Sequence, residues 1–387
     1  MKFCKLKDIA TIIAGQSPDS KYYNLNGEGI PFFQGKADFG EIYPNIRVFC
    51  TNPTKIAEKD DILLSVRAPV GPTNLSPGKV CIGRGLTAIR PNNEVGLKYL
   101  LYYFRHFEAQ LNQKGTGTTF KAITQNIIKN LDVPVPPLPE QERIVARIEE
   151  LFSELDKAVE TLNTTKQQLA VYRQAVISTS FPELTSSNSV RLDEIAEISG
   201  GITKGRNLSQ QKTITLPYLR VANVQNGYLD LSQMKDIEVK LNEVDKYLLQ
   251  EGDVLYTEGG DRDKLGRGTV WKNEIPRCVH QNHVFKARLN QERALPQYVA
   301  YWSMSVYARD YFFKKGKQSV NLASINKTVL SALILPIPSL EKQASIINNI
   351  ESRLSVCDQI EKTIEQSLQQ AEALRQSILK QAFEGRL

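Results

Sequence analysis

The residues of this chain best suited to metal chemistry are Cys278, His280 and His283, because thiolate and imidazole groups are the usual zinc ligands. A fourth ligand does not lie near them in the sequence, and the valines between them favour a buried strand. Asp261 and Asp263 with the following lysine resemble the acidic cluster of a nuclease. The glycines on both sides of them favour a polar loop instead. We therefore expect neither a metal site nor a disulfide.

Motifs for cofactor chemistry are missing from the sequence. No G-x-x-x-x-G-K-[ST] phosphate loop occurs, and Gly83-Arg84-Gly85 lacks the third glycine of a dinucleotide-binding motif. Asn52-Pro53-Thr54 lacks the second proline and the aromatic residue of an amino-methyltransferase motif. With 3 histidines in the chain, general acid–base catalysis has few candidates. The sequence predicts a protein that is not an enzyme.

The second half of the 387-residue chain repeats the first. The segment PVPPLPEQ at 134–141 matches PIPSLEKQ at 336–343, an offset of 202 residues that continues without a gap to Phe181 and Phe383. Upstream segments match more weakly, because loops differ in length. Two copies of one unit imply pseudo-two-fold symmetry and suit a bipartite ligand.

Each repeat ends in a long helix whose apolar residues alternate at four- and three-residue spacing, as in a coiled coil. At 1.5 Å per residue, about 40 residues form a rod of roughly 60 Å. We expect the two rods to pair antiparallel; the alternative is that each packs on the core of its own domain. The predicted seam consists of Ile144, Ile148, Leu151, Leu155, Ala158, Leu162, Thr165, Leu169, Tyr172 and Val176 in the first helix, and of Ile346, Ile350, Arg353, Cys357, Ile360, Ile364, Ser367, Ala371, Leu374 and Ile378 in the second.

The parts before each long helix read as strand-rich. Short β-branched and aromatic runs bounded by turn residues predict strands over 9–13, 30–33, 61–66, 86–89, 195–199, 218–221, 253–256 and 283–287. Shorter helices are predicted over 98–110 and 297–312. The predicted fold class is α+β, with two pseudo-symmetric globular domains separated by two long helices paired as an antiparallel coiled coil. The predicted domains are residues 1–133, the central spacer helix 134–181, residues 182–335 and the C-terminal spacer helix 336–387.

Composition and charge set the class of protein. Hydrophobic residues make up 41% of the chain and no 18-residue apolar run occurs, so we expect a soluble cytoplasmic protein without membrane contact. The net charge of +7 resides in the globular parts, which carry +6 and +4. Such an excess suits a polyanion and equally a mildly basic enzyme. The odd, scattered set of Cys4, Cys50, Cys81, Cys278 and Cys357 predicts reduced thiols in cores.

Several segments resemble the specificity subunit of type I restriction-modification systems. They are PLPEQERI at 137–144, LKDIA at 6–10 with its echo LDEIA at 192–196, and LKQAFEGRL at 379–387. The segment RCVHQNHVF at 277–285 resembles the core of the second recognition domain in that family. The first half has CIGRGLT at 81–87 in the equivalent place, which implies a different half-site. The start of the second helix departs from the family pattern, with LEKQ for LPEQ.

The resemblance implies a non-catalytic subunit. Its two target-recognition domains would each read one half of a split, asymmetric double-stranded DNA sequence, and the helices would hold them apart as a ruler. It implies two modification (methyltransferase) subunits docked on those helices, and restriction (translocase and nuclease) subunits. S-adenosylmethionine, ATP and Mg²⁺ would belong to these partners and no cofactor to this chain. The open alternative is a duplicated protein-interaction scaffold that binds no DNA.

The candidate DNA contacts are polar and basic residues in glycine-flanked loops. Arg and Lys can address guanine, and Asn and Gln adenine. The candidates are Gln16, Ser17, Lys36, Arg67, Arg84, Lys114, Thr116 and Lys121 in the first domain, with Lys204, Arg206, Arg220, Asn223, Arg262, Lys264, Arg267, Lys317 and Asn321 in the second.

Overall fold

The structure is a computed structural model that describes residues 2–115, 121–185, 188–208, 211–260, 265–318 and 323–387. The chain divides into two compact units. The first unit contains Met1–Leu162 and Glu365–Leu387, and the second contains Asn163–Ile364. Each long helix is therefore shared between the units. The sequence-based division, which keeps the helices as separate segments, stays a prediction.

The first unit mixes strands and helices, as the sequence predicts. Its strands are Phe3–Lys5, Ala10–Ala14, Tyr23–Asn24, Ile30–Phe33, Phe49–Cys50, Ile56–Ala57, Ile62–Ser65, Thr73–Leu75, Val80–Ile82, Leu86–Pro91 and Asp132–Pro134. Its shorter helices are Leu6–Ile9, Leu97–Lys114 and Gln125–Lys129. The first long helix, Leu138–Thr179, begins in this unit, and the second, Leu340–Phe383, ends in it.

The second unit has a similar set of elements. Its strands are Ser189–Arg191, Ala196–Gly200, Thr213–Leu219, Lys235–Lys240, Val254–Thr257, Gly259–Gly260, Gly268–Val270, Val279–His280, Val284–Leu289, Lys317–Gln318, Ala323–Ser324 and Ile334–Pro336. Its shorter helices are Val244–Tyr247, Pro296–Met304, Val306–Lys315 and Lys327–Ser331. The prediction of a single helix over 297–312 is wrong, because the helix is interrupted at Ser305. The Ser305 hydroxyl accepts a hydrogen bond from the Ala308 N–H and caps the next helix.

The central antiparallel sheet has the same topology in both units. In the first its strand order is Ala10–Ala14, Leu86–Pro91, Ile62–Ser65, Thr73–Leu75, and in the second Ala196–Gly200, Val284–Leu289, Val254–Thr257, Gly268–Val270. Beside each central sheet lies one parallel contact, which pairs Phe33 with Ile82 and Leu219 with His280. The internal repeat is therefore a repeat of fold as well as of sequence.

The two ends of each globular part are joined by a short antiparallel strand pair. Phe3–Lys5 pairs with Asp132–Pro134, and Ser189–Arg191 pairs with Ile334–Pro336. A buried tyrosine fixes each closing strand: the hydroxyl of Tyr99 donates to the Pro134 carbonyl, and that of Tyr298 to the Pro336 carbonyl, both at 2.9 Å.

A buried glutamine anchors the start of each long helix. Gln141 is 1% exposed, and its Oε1 accepts a hydrogen bond from the Gly96 N–H at 2.8 Å. Its Nε2 donates to the carbonyls of Glu94 and Pro136 at 3.0 and 2.8 Å. Gln343 makes the corresponding three bonds in the second unit. These bonds satisfy backbone groups that would otherwise be buried without a partner.

An ion pair with a buried carboxylate is also repeated. The carboxylate of Asp61, 1% exposed, accepts hydrogen bonds from Nε and Nη2 of Arg90, both at 2.8 Å. Asp253 and Arg288 form the same bidentate pair at 2.8 Å in the second unit. Each pair joins the first residues of a central strand to the neighbouring strand, and so fixes the sheet register.

The long helices begin in the cores of their own domains. Ile144 and Ile148 belong to the core of the first unit, and Ile346 and Ile350 to that of the second. This is the packing that the sequence left as the alternative to pairing. At the other end of the second helix, Phe383 lies against Tyr99 in the first unit, with ring centroids 5.2 Å apart.

The predicted coiled-coil seam is wrong at five positions, where the side chains are exposed: Ala158, Tyr172, Arg353, Ile360 and Leu374. Ala158 and Tyr172 are equivalent to Ile360 and Leu374 at the 202-residue offset. Polar pairs link the helices nearby. Within the second unit Nη2 of Arg173 lies 2.6 Å from Oδ1 of Asp358, and within the first Arg375 pairs with Asp156. Each arginine directly follows a seam residue, Tyr172 or Leu374, and so lies beside the seam, where coiled coils form interhelical ion pairs.

The cysteines lie in different parts of the fold. All five cysteines are free thiols, and Cys50, Cys81, Cys278 and Cys357 are buried, which confirms the predicted packing in cores. Among the described residues, each helix is too short or too polar to span a bilayer.

Candidate nucleic-acid interface

Three loops of the first unit meet at the end of its central sheet, because glycines let their backbones touch. The Gly15 N–H donates to the Leu86 carbonyl at 2.9 Å, and the Gly83 N–H to the Phe33 carbonyl at 2.8 Å. A Cβ at Gly15 would lie 2.1 Å from the Gly83 carbonyl oxygen, so no other residue fits there. The loops that follow each strand are thereby held side by side.

The three loops and the end of a fourth strand enclose a cavity of about 580 Å³, called here the first-domain cavity. Ser17, Lys36, Arg67 and Arg84 line it. The structure thus brings together four of the residues predicted from the sequence, drawn from four separate segments. Gln34 and Arg47, which the sequence analysis did not single out, also line it.

The first-domain cavity carries more positive than negative charge. Its one lining carboxylate, Asp38, lies 2.5 Å from Nη2 of Arg47 and accepts the backbone N–H of Gln34 at 2.8 Å. The Asp38 carboxylate is therefore already bound by groups of its own domain. Within the described residues, the side chains of Arg67 and Arg84 have no carboxylate partner. A cavity with uncompensated guanidinium groups attracts anions.

The other first-domain candidates lie around this cavity or away from it. Gln16 is exposed, and its carbonyl accepts the Thr54 hydroxyl at 2.5 Å. The Lys121 carbonyl accepts the Ala68 N–H at 2.9 Å, which places Lys121 beside the segment that contains Arg67. Lys114 is the exposed last residue of its helix. Thr116 lies outside the described residues.

In the second unit several of the candidate side chains make ion pairs or hydrogen bonds within the unit. Arg206 pairs with Glu243 at 2.6 Å, and Arg267 donates to Oε1 of Gln225 at 3.2 Å. Asn223 is 2% exposed, and its side chain accepts the Arg220 N–H and donates to the Asp230 carbonyl, which stabilises a turn. Arg220 also donates to the Gln233 carbonyl at 2.6 Å. Lys204 and Lys317 are exposed. Arg262, Lys264 and Asn321 lie outside the described residues.

Cys278 and His280 do not have the environment of metal ligands. Both are buried, and burial raises the pKa of the Cys278 thiol to about 12, which disfavours the thiolate that zinc binds. Nδ1 of His280 lies 2.6 Å from the Val284 carbonyl and donates to it. His283 is exposed, and its Nδ1 lies 2.6 Å from Oε2 of Glu258. Among the described residues, no three His, Cys, Asp or Glu side chains are grouped to hold a metal ion.

The buried His280 is expected to make stability depend on pH. Burial lowers the pKa of His280 to about 4, whereas the unfolded chain titrates near 6.5. Between about pH 6.5 and 4 the unfolded state binds a proton that the folded state does not, so stability falls as pH falls. The difference corresponds to about 3 kcal/mol. Denaturant unfolding at pH 7 and pH 4 should show a smaller fall for His280→Gln than for the wild type.

If His280→Gln loses as much free energy of unfolding between pH 7 and pH 4 as the wild type, burial of His280 does not set this pH dependence.

A protein-family model covers almost the whole chain in two copies. The model, described as the type I restriction modification DNA specificity domain, matches residues 1–169 and again residues 186–370. The chain belongs to this family. Its two specificity domains are the duplicated units found in the sequence and in the fold, and the resemblance seen in the sequence is confirmed.

Curated relatives carry the same description. The chain is 42% identical to a putative type I restriction enzyme MjaX specificity subunit of Methanocaldococcus jannaschii over 168 residues, which are 43% of this chain and 39% of that protein. The chain thus matches less than half the length of this relative. It is 23% identical to the type I restriction enzyme EcoKI specificity subunit of Escherichia coli K12 over 328 residues, or 80% of this chain and 70% of that protein.

A solved structure from work on complex assembly and conformational transition of the type I R-M system has the same fold. It covers 100% of this chain and 98% of its own, with a TM-score of 0.73 and 20% identity. At this identity the likeness shows the fold alone.

In the second specificity domain, Glu258 and His283 occupy loop positions equivalent to those beside the first-domain cavity. Neither residue was among the DNA contacts predicted from the sequence. The Glu258 N–H donates to the His283 carbonyl at 2.9 Å, just as the Val66 N–H donates to the Gly85 carbonyl at 2.9 Å. The Glu258–His283 pair therefore stands where the first domain has valine and glycine. Gly201, the equivalent of Gly15, was a signal in the sequence. A Cβ atom added at Gly201 would lie 1.9 Å from the His280 carbonyl oxygen, so only glycine fits there.

Proposed function

We propose that this chain is the DNA-reading subunit of a type I restriction-modification complex and that each specificity domain reads one half of a bipartite, asymmetric double-stranded site. The observation that supports this most is a repeated scaffold with different side chains in equivalent loops. The buried pairs Asp61–Arg90 and Asp253–Arg288 are the same in both domains. The loops at the sheet ends differ, and specificity usually resides in loops on a constant scaffold.

The first-domain cavity supplies the electrostatic part of this proposal. Arg67, Arg84 and Lys36 line it, and cationic side chains that neutralise phosphates release counterions from DNA. Phosphate contacts position a protein on the duplex, and contacts to base edges provide the sequence preference.

The long helices are proposed to pair antiparallel and to act as a ruler between the two DNA half-sites. Contacts inside the first unit support this pairing: Arg143 donates to the Leu387 carbonyl at 3.3 Å, whereas Asp156, further along the same helix, pairs with the earlier residue Arg375. The residue numbers of the two helices thus run in opposite directions there.

The same helices are proposed to dock two modification subunits. In the second unit, Val171 and Tyr172 of the first helix are 71% and 50% exposed, and Val356 and Ile360 of the second are 53% and 40% exposed. Exposed apolar side chains of this size favour burial against a partner. The partners would bind S-adenosylmethionine, and restriction subunits would bind ATP and Mg²⁺. This chain would contribute no catalytic group.

A salt-dependent gel shift tests the DNA-binding proposal. If the complex of the full chain with its modification subunits contacts about four phosphates, its DNA affinity should fall on the order of 100-fold between 50 and 200 mM salt. Lys36→Gln should weaken binding and lower the slope of log affinity against log salt by about 1. Lys157→Gln, on an exposed part of the first long helix, is the matched control and should leave both unchanged.

The alternative is a protein-interaction scaffold that binds no DNA. It would be favoured if the complex shifted no duplex at 50 mM salt while the modification subunits still bound the chain. In a separate assay, the chain purified without its modification subunits should transfer no methyl group from labelled S-adenosylmethionine to DNA. Transfer above background would contradict the non-catalytic role.

A further inference from the structure

Both specificity domains contain the same tight turn between two strands. In the first, the Leu86 N–H donates to the Gly83 carbonyl at 2.9 Å. In the second, the Val284 N–H donates to the Gln281 carbonyl at 2.9 Å. The first residue of each turn is also tied to the parallel neighbour strand, at 2.8 Å to the Phe33 carbonyl and at 2.9 Å to the Leu219 carbonyl. Arg84 and Asn282 are therefore structural counterparts, each the second residue of its turn.

Arg84 is placed as a free hydrogen-bonding fork. It is exposed, it lines the first-domain cavity, and its guanidinium makes no hydrogen bond or ion pair with the residues that the structure describes. Its backbone N–H is held by Ser17 Oγ at 3.3 Å, which fixes the base of the side chain. By contrast, Arg47, Arg90 and Arg105 bond to Asp38, Asp61 and the Glu41 carbonyl.

Arg67 adds a second guanidinium on the same cavity, and it too has no carboxylate partner among the described residues. It pairs through its backbone with Ala122, as Gly259 pairs with Ser324 in the second domain. The second domain therefore has glycine where the first has Arg67 and asparagine where the first has Arg84. The two domains therefore carry different hydrogen-bonding groups at two equivalent loop positions.

The hydrogen-bonding groups at the two turns suit different bases. A guanidinium donates two parallel hydrogen bonds to O6 and N7 of guanine, whereas a carboxamide accepts from N6 and donates to N7 of adenine. Asn282 is half-buried, and its Nδ2 lies 3.2 Å from Nε2 of His283, which orients the amide beside the Glu258–His283 pair.

We infer that Arg84 and Asn282 are specificity-determining residues: Arg84 reads a guanine in the half-site of the first domain, and Asn282 an adenine in that of the second. The inference rests on the proposed DNA-binding function. It assigns base chemistry to two counterpart positions, of which only Arg84 was among the candidates from the sequence.

Selection from a randomised duplex library tests the assignment, with the full chain assembled with its modification subunits. Arg84→Ala removes the guanidinium, so preference for one guanine should fall about 5- to 150-fold. The other half-site should be unchanged. Asn282→Ala should reduce preference for one adenine in the other half-site to a similar extent.

Arg47→Ala is the matched control, because Arg47 lines the same cavity but is engaged by Asp38. It should leave the selected sequence unchanged. The assignment is overturned if Arg84→Ala or Asn282→Ala selects the wild-type sequence, if the lost base is not the one named, or if Arg47→Ala causes the same loss as Arg84→Ala. If the wild-type complex itself selects no sequence, the proposed function fails instead.

Discussion

Replacing Arg90 by methionine is expected to lower the free energy of unfolding of the first unit by about 2–3 kcal/mol. The reason is the carboxylate left behind. Asp61 is 1% exposed and receives two hydrogen bonds from Arg90 at 2.8 Å, so removal of the arginine leaves a buried charge without its partner. Arg288→Met should have a similar effect in the second unit, because Asp253 is equally buried.

Arg143→Met is the control for this prediction. Arg143 and Glu140 form a pair whose side chains are 58% and 42% exposed, and exposed pairs contribute at most about 1 kcal/mol. Denaturant unfolding of the three variants measures the difference. Equal, small losses for Arg90→Met and Arg143→Met would show that the buried pair does not hold the sheet together.

Lengthening both long helices is expected to change the spacing of the DNA site without changing its half-sites. Four residues inserted after Thr164, with four more after the equivalent Gln366, add about 6 Å to each helix. This is close to two base-pair steps of about 3.4 Å. The insertion rotates one end by about 40° net, against about 70° for two base pairs of DNA. We expect the difference to be absorbed by bending or twisting.

Methylome sequencing of a host that carries the insertion variant measures this spacing. The expected result is methylation at unchanged half-sites with a non-specific spacer about two base pairs longer. Insertion of four residues in one helix only is the control, since it mismatches the pair and should reduce activity. Methylation at the original spacing would favour a flexible tether between independently binding domains.

The local elements could be predicted from the sequence because their signals are local. The strand Ile30–Phe33 is found over the residues predicted for it, since a β-branched and aromatic run lies between glycine-containing turns. The central strand predicted over 61–66 is Ile62–Ser65. The family resemblance also placed 81–87 and 277–285 at equivalent positions, and their turns have the same hydrogen bonds.

Long-range partners could not be predicted in this way. Gln141 bonds to Gly96, 45 residues earlier in the chain, and nothing in the sequence around either residue indicates the pairing. The first-domain cavity is likewise built from four segments, and Arg67 and Arg84 become neighbours only through the sheet between them. The helix seam fails for a related reason: a heptad pattern predicts which residues share a helix face but not how much of that face is covered, and Tyr172 and Leu374 are 50% and 49% exposed.

The first unit combines residues that are synthesised early with residues that are synthesised late. Its core includes residues 365–387, where Phe383 packs on Tyr99 and Tyr103 with ring centroids 5.2 and 5.6 Å apart. These residues leave the ribosome about 200 residues after Leu162, a delay of about 10–40 s at 5–20 residues per second. Throughout that interval the rings of Tyr99 and Tyr103 are not covered by Phe383, so chaperones can bind them. The first unit therefore stays incomplete until the residues of the second unit have been synthesised.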